Sequence, residues 1–338
     1  MATNKDTENN ITKLTEVTEQ DLAEAMVDEY GVKYSKDGKR LIKGPSLTLH
    51  YNIKEGTEII CDHAFSSCFC LSITIPSSVR IMEGNPFNGW HGHIEEIESP
   101  YFKYEDRALI DVKKGILIAF LSRAESFTIP PSVTVIGDYA FSGCSSLTSI
   151  NIPPSVTAIG SGAFHWCESL ASIKIPPSVT AIGNSAFSGC SSLTSINIPP
   201  SITTIGNSTF SGCKSLTSIN IPPSVTAIGD SAFSRCSSLT SINISPNATA
   251  IGDYAFSWCY SLTSINIPPS VTAIGDYAFS GCSSLTSINI PPSVTAIGDY
   301  AFSECKNLDA TTKSEIRRRF EDWRVFWRFS PHTPISEE

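Results

Sequence analysis

From Ile129 onward the chain repeats one phrase with small variations, Ile-Pro-Pro-Ser-Val-Thr-x-Ile-Gly-x-x-Ala-Phe-Ser-x-Cys-x-Ser-Leu-Thr-Ser-Ile-Asn. It restarts at Ile152, Ile175, Ile198, Ile221, Ile244, Ile267 and Ile290, always after 23 residues. A fixed period of this length dictates a solenoid, in which each coil packs only on its neighbours. A single coil buries too little apolar surface to offset the entropy of ordering it, so the unit must stack. Chains of this kind work by presenting a surface.

One coil, Leu147 to Ser169, shows how the phrase folds. Ile150 and Ile152 alternate with the outward Ser149 and Asn151, as in a short strand. Pro153-Pro154 ends that strand by removing ladder donors, and Val156 and Ile159 point back inward from a second extended segment. Gly160 permits a positive φ or a close approach to the next coil. The residue after it (Asp138, Ser161, Asn184, Asn207, Asp230, Asp253, Asp276 and Asp299 across the repeats) is a good helix N-cap. The stretch from Tyr139 to Cys144 is therefore expected as one short helical turn, with Phe141 and Cys144 facing inward.

Charged residues make up 17% of the chain, and its net charge is −9. Between Ile129 and Ala310 stand four basic and eight acidic side chains. No basic stripe exists to neutralise phosphates, which argues against nucleic acid as a partner. The first thirty residues hold no apolar run of the kind a secretory signal needs, and no window reaches the roughly 18–20 apolar residues of a membrane span. The chain as written reads as soluble and not exported by the general pathway. Eleven cysteines are present, and Cys144, Cys167, Cys190, Cys213, Cys236, Cys259, Cys282 and Cys305 sit in register. They read as a column of buried free thiols rather than a disulfide framework.

The pattern Leu-x-x-Ile-x-Ile-Pro-x-x-Val-x-x-Ile-Gly-x-x-Ala-Phe-x-x-Cys resembles the leucine-rich repeat of the BspA-like, or Treponema-type, family, from about Ile53 to Leu308. Its marks are the Ala-Phe pair, at Ala64-Phe65, Ala140-Phe141 and onward to Ala301-Phe302, and the Cys three residues later. Thr209-Phe210 departs from it, and Ile244-Ser-Pro-Asn-Ala lacks the first proline and the valine, so that coil is expected to pack less well. Ile53 to Leu71 is an irregular coil, and Ile75 to Trp90 a degenerate one with Pro86-Phe87 for Ala-Phe and Trp90 for Cys. Strand–turn–strand insertions are read at Tyr34–Ile42 and Ile110–Ile118. The resemblance implies an α/β solenoid: a right-handed superhelix of 23-residue coils, short parallel strands on one face, short helical turns on the other, and terminal caps. The divisions expected are residues 1–31, a tail and capping helix (Thr18 to Tyr30); 32–128, irregular coils; 129–308, regular coils; and 309–338, a capping helix (Thr312 to Trp323) and a flexible tail from Ser330.

No G-x-S-x-G, phosphate-cradling glycine loop or H-E-x-x-H motif occurs, so no enzymatic activity and no cofactor is expected. A weak metal candidate lies in two adjoining N-terminal coils: Cys61, His63, Cys68, Cys70, His91 and His93. It matches no known zinc spacing, and Cys68 fills the structural cysteine slot. Two groups of surface residues are candidates for a protein partner. The strand face offers Ser149/Asn151, Ser172/Lys174, Ser195/Asn197 and Ser218/Asn220; the turn side offers Trp166, Arg235, Trp258, Tyr260 and the tyrosines Tyr254, Tyr277 and Tyr300. His165 and Glu168 set one coil apart. Sequons at Asn10, Asn207 and Asn247 matter only in a glycosylating compartment. The resemblance implies protein–protein interaction, with adhesion and host-matrix binding as the associated roles. The alternatives are a purely structural array and a metal-binding protein.

Overall fold

A computed structural model describes residues 14–320 and 323–326. The tail from Ser330 and the sequon at Asn10 lie outside the described residues. The chain divides into two compact units, Met1–Ser122 with Ser132–Ser142, and Arg123–Pro131 with Gly143–Glu338. The second unit holds most of the regular coils.

Most regular coils contribute two short strands, the first reduced to a single bridge at Asn220 and Asn289, and residues 23 apart pair in parallel. Ser172–Ile173 pairs with Ser195–Ile196, and Ser241–Asn243 with Ser264–Asn266. A second ladder joins Thr204–Ile205, Ala227–Ile228, Ala250–Ile251, Ala273–Ile274 and Ala296–Ile297. The chain is thus a β-solenoid whose register is its sequence period. Leucine, isoleucine, valine and phenylalanine of the phrase are buried, save the half-buried Ile182 and Ile297, and the phenylalanines stack: Phe164–Phe187 at 5.4 Å and Phe233–Phe256 at 5.4 Å, with ring planes 3° and 4° apart. The column thiols are buried as well, and from Cys190 on each donates to a phenylalanine carbonyl of the preceding coil, Cys190 to Phe164 O at 3.1 Å and Cys236 to Phe210 O at 3.2 Å. Burial pushes the Cys190 and Cys305 thiols up to about 12.

The turn side differs from the sequence expectation. The stretch after each glycine is a run of hydrogen-bonded turns, not a helix, because its N–H groups alternate in direction. In one coil the amides of Ala163, His165 and Cys167 close turns onto Gly160, Gly162 and Phe164, while those of Gly162, Phe164 and Trp166 donate to Asn184, Ala186 and Ser188 of the next coil. That alternation needs left-handed residues, and Gly162 and Trp166 take φ of 58° and 58°. The expected N-cap residues do not cap. Asn184 Oδ1 accepts from Asn207 N–H, Asn207 from Asp230, Asp230 from Asp253, Asp253 from Asp276 and Asp276 from Asp299, at 2.7–2.9 Å. These side chains form a row of acceptors running from coil to coil. The row explains the glycine before it: a Cβ on Gly252 would lie 2.5 Å from Asp230 Oδ1, so close approach, not a positive φ, demands glycine there.

The irregular Ile244 coil replaces the lost contacts with polar ones. Ser245 Oγ and Asn247 Nδ2 both donate to Pro223 O, at 3.2 and 2.8 Å, while Ala248 fills the valine slot fully buried. Thr209, in place of alanine, is buried with its hydroxyl on Gly206 O.

In the first unit, both expected hairpins are present: Lys33–Tyr34 against Arg40–Lys43, and Ala108–Asp111 against Ile116–Phe120. The strands His50–Asn52, Ser72–Ile75 and His93–Ile97 form a parallel ladder. The N-terminal helix is shorter than expected. Helix α1 spans Glu19–Glu24, with Thr18 and Asp21 forming a reciprocal capping box. Met26–Val27 is instead a strand paired with Lys33–Tyr34, because Asp28 Oδ1 accepts from both Tyr30 and Val32 N–H and reverses the chain. At the other end α2 spans Ala310–Phe320 and buries Ile316. Its Arg319 guanidinium donates to the carbonyls of Ile290, Pro291 and Val294. A 3-10 turn, Trp323–Phe326, receives the amides of Tyr300 and Phe302 on Arg324 O and Val325 O.

Candidate functional site

The strand-side candidates Ser149, Asn151, Ser172, Lys174, Ser195, Asn197, Ser218 and Asn220 are all exposed. They stand in register, with Asn197 bridged to Asn220 and Asn220 to Asn243. The threonine column beside them ties coil to coil, Thr194 Oγ1 donating to Ala171 O and Thr240 Oγ1 to Thr217 O at 3.2 and 3.3 Å. Apart from Lys174 this side presents the same neutral groups from coil to coil.

The turn side is built differently. The slot just before each column cysteine is left-handed. Gly143, Gly189, Gly212 and Gly281 fill it with φ of 72–77°, but Trp166, Arg235, Trp258 and Glu304 fill it in the other coils with φ of 58–62°. A left-handed conformation costs an L-residue about 1–2 kcal/mol that glycine does not incur. Each of these side chains is therefore held outward at a position where a cheaper residue exists. The glycine of the following coil makes room for the indoles: a Cβ on Gly281 would sit 2.6 Å from the Trp258 ring, and one on Gly189 would sit 3.2 Å from Trp166.

Three of the turn-side candidates converge. Arg235, Trp258 and Tyr260, with Lys214 and Ser237, line an open cleft of about 410 Å³. Trp258 and Tyr260 are 40% and 47% exposed, their rings 5.7 Å apart and inclined by 57°. The two planes form a corner rather than a platform. Ser237 Oγ donates to Lys214 O, so its hydroxyl is already engaged. Among the described residues neither Lys214 Nζ nor the Arg235 guanidinium has an ion-pair partner. The cleft joins two uncompensated cations to an exposed aromatic corner. It contains groups suited to binding and no activated nucleophile or acid–base pair. Trp166 lies apart from this cleft, packed edge-on against His165 at 5.7 Å, and burial lowers the His165 pKa.

Lys214 and Ser237 escaped the sequence reading. Both occupy the slot just after the column cysteine, as Tyr260 does, and aligning that column across coils exposes them. Nearby, Tyr254, Tyr277 and Tyr300 stack face to face at 4.7 Å beside the aspartate row. Desolvation within that stack holds the Tyr277 phenol above its ordinary range.

The N-terminal cysteines and histidines are not brought together as a ligand set. Cys61 is buried against the Arg40 guanidinium, and burial raises its pKa. His63 faces Asp62 and the Tyr139 ring. Cys70 Sγ contacts Cys68 Sγ at 2.8 Å, while His91 is exposed and His93 begins a strand. Among the described residues no group of three or more His, Cys, Asp or Glu could hold a metal ion. No helix among them is long and apolar enough to cross a membrane.

The chain resembles several solved bacterial proteins. A leucine-rich repeat protein from Eubacterium ventriosum is 27% identical with a TM-score of 0.54, over 75% of this chain and 63% of that one. The present chain therefore spans less than two thirds of that relative. A leucine-rich cell surface protein from Faecalibacterium prausnitzii is 25% identical with a TM-score of 0.51, over 88% of this chain and 98% of that one. No curated protein sequence matches. The family model for the BspA-type leucine-rich repeat region matches residues 45–106, 119–240 and 203–321, in 6 copies. With most of its length matched by that model, the chain belongs to the BspA-type leucine-rich repeat family.

Proposed function

We propose that the chain is a non-enzymatic protein–protein interaction scaffold, with adhesion to a matrix or surface protein as its role. The observation that carries this reading is where its bulky departures fall. Trp166, Arg235, Trp258 and Tyr260 project from turns whose interior neighbours, Phe and Cys, stay constant. An invariant spine thus displays variable side chains, as a binding array requires. The relative from Faecalibacterium is described as a cell surface protein, which fits an adhesive role. In this reading the coils form a right-handed superhelix. Residues 1–31 and 309–338 flank irregular coils at 32–128 and regular ones at 129–308, and Trp323–Phe326 takes the hydrogen-bonding place of one more coil.

The second reading, a purely structural array, draws on the acceptor row and the threonine hydroxyls, which serve coil stacking alone. Deleting residues 152–197, two whole periods, separates the two readings. Binding to immobilised fibronectin and other matrix glycoproteins, measured by surface plasmon resonance, should weaken at least tenfold if several coils build the interface. A folded full-length protein that binds none of them contradicts the adhesive role, and unchanged binding after the deletion contradicts an interface spread across those coils.

A further inference from the structure

We propose that the Lys214–Arg235–Trp258–Tyr260 cleft binds an acidic peptide segment of the partner, its carboxylates on the two cations and one apolar side chain in the aromatic corner. This deepens the scaffold reading and rests on it.

Charge complementarity is the first argument. The regular coils hold few cations, and two of them meet here without a carboxylate among the cleft's lining residues. In a chain of net charge −9 this is a local reversal of sign, and it selects for an anionic ligand. The aromatic geometry points to the same class of ligand. Rings inclined by 57° enclose a corner that receives a single side chain, whereas the face of a sugar would need a flat platform.

Spacing is the third. Lys214, Arg235 and the Trp258/Tyr260 pair sit in three successive coils, and neighbouring strands stack about 4.8 Å apart. The cations and the corner therefore extend over about 10 Å, the length of about three residues of extended chain at about 3.3 Å each. A segment with acidic residues one or two positions from an apolar one meets all the groups at once. Finally, Arg235 and Trp258 occupy left-handed positions that glycine fills in sister coils, and an outlier retained at a surface site points to use.

The test uses the full chain and a fluorescein-labelled dodecapeptide of alternating glutamate and leucine, followed by fluorescence anisotropy. The expected result is saturable binding that weakens at least tenfold when glutamine replaces glutamate, and that weakens again as salt is raised. The variant K214S/R235G/W258G/Y260S installs residues that sister coils already carry in these slots, at Ser191, Gly189, Gly212 and Ser283. It should melt like the parent and bind the peptide at least tenfold more weakly. If that variant does not fold, Lys214→Ser alone carries the test and should weaken binding at least threefold. Lys306→Ser, in the slot after a column cysteine but outside the cleft, should leave binding unchanged.

Equal affinity for the glutamine peptide overturns the proposal, as does parental affinity in the folded variant. Tighter binding of a hyaluronan oligosaccharide through the same four residues also overturns it, in favour of an acidic glycan. Retention of matrix-protein binding by a variant that has lost no peptide affinity leaves the scaffold standing while the cleft assignment falls.

Discussion

The two outer sides of the regular coils are made from the same 23 residues yet behave differently. On the strand side the backbone is extended and asks nothing unusual of its residues, and serine and asparagine return in nearly every coil. The turn side needs two left-handed residues in each coil, such as Ser231 and Arg235 at φ of 55° and 60°. The sequence varies most on the side where the backbone is most demanding. Drift alone would place bulky residues on the extended side, where they cost nothing. In the scaffold reading proposed above, the concentration of Trp, Arg and Tyr on the turns assigns recognition to that side, with the strand side and the interior serving as support.

If the interior is the common support, changes there must cost more than changes on either side. Phe210→Ala, which removes a ring stacked between Phe187 and Phe233, should destabilise the second unit by about 3–5 kcal/mol in urea unfolding. Gly252→Ala tests the acceptor row from beneath. Its Cβ would press on Asp230 Oδ1 and Asp230 N at 2.5 and 2.7 Å, and the expected loss is about 1–3 kcal/mol.

The thiol column gives a pH signature. The Cys190 pKa rises from an ordinary thiol value near 8.5 in the unfolded chain to about 12 in the folded one. The folded state therefore holds its proton longer, so this stability is complete below about pH 8.5 and is lost between there and about 12. Replacing Cys190 by alanine should flatten the alkaline fall of stability by about 1.4 kcal/mol per pH unit across that window. The smallest effects belong to the two outer sides. Asp253→Ala, which deprives Asp276 N–H of its acceptor, should cost about 0.5–1.5 kcal/mol. Asn220→Ser on the strand side should stay within about 0.5 kcal/mol of the parent. A strand-side effect exceeding the turn-side one would reverse the ranking of the two sides.

The interior was legible because a column of Phe or Cys repeats at the coil period, and parallel stacking keeps that period in space. The turns depart from the local sequence pattern for a physical reason. An aspartate ahead of Tyr-Ala-Phe has the local look of a helix start, but its hydrogen-bond partner lies 23 residues away in the next coil, where no local rule reaches. The N-terminal helix is cut short for a local reason: Asp28 Oδ1 accepts from the nearby Tyr30 and Val32 N–H groups, reverses the chain and leaves Met26–Val27 as a strand. Arg235, Trp258 and Tyr260 were visible as breaks in the pattern. Lys214 breaks the slot after the column cysteine in the same way, but only the cleft shows that it joins residues of the next two coils.

The recurring Phe and Cys of the interior are sealed from solvent, and the bulky departures from the repeat lie outside. Mass-spectrometric mapping of thiol alkylation on the native protein tests this sealing most directly. Labelling is expected at Cys68, which is partly exposed, and protection at Cys167, Cys190, Cys213, Cys236, Cys259 and Cys282 until the chain unfolds. Rapid labelling of several of these column thiols under native conditions, or disulfides linking them, would contradict it.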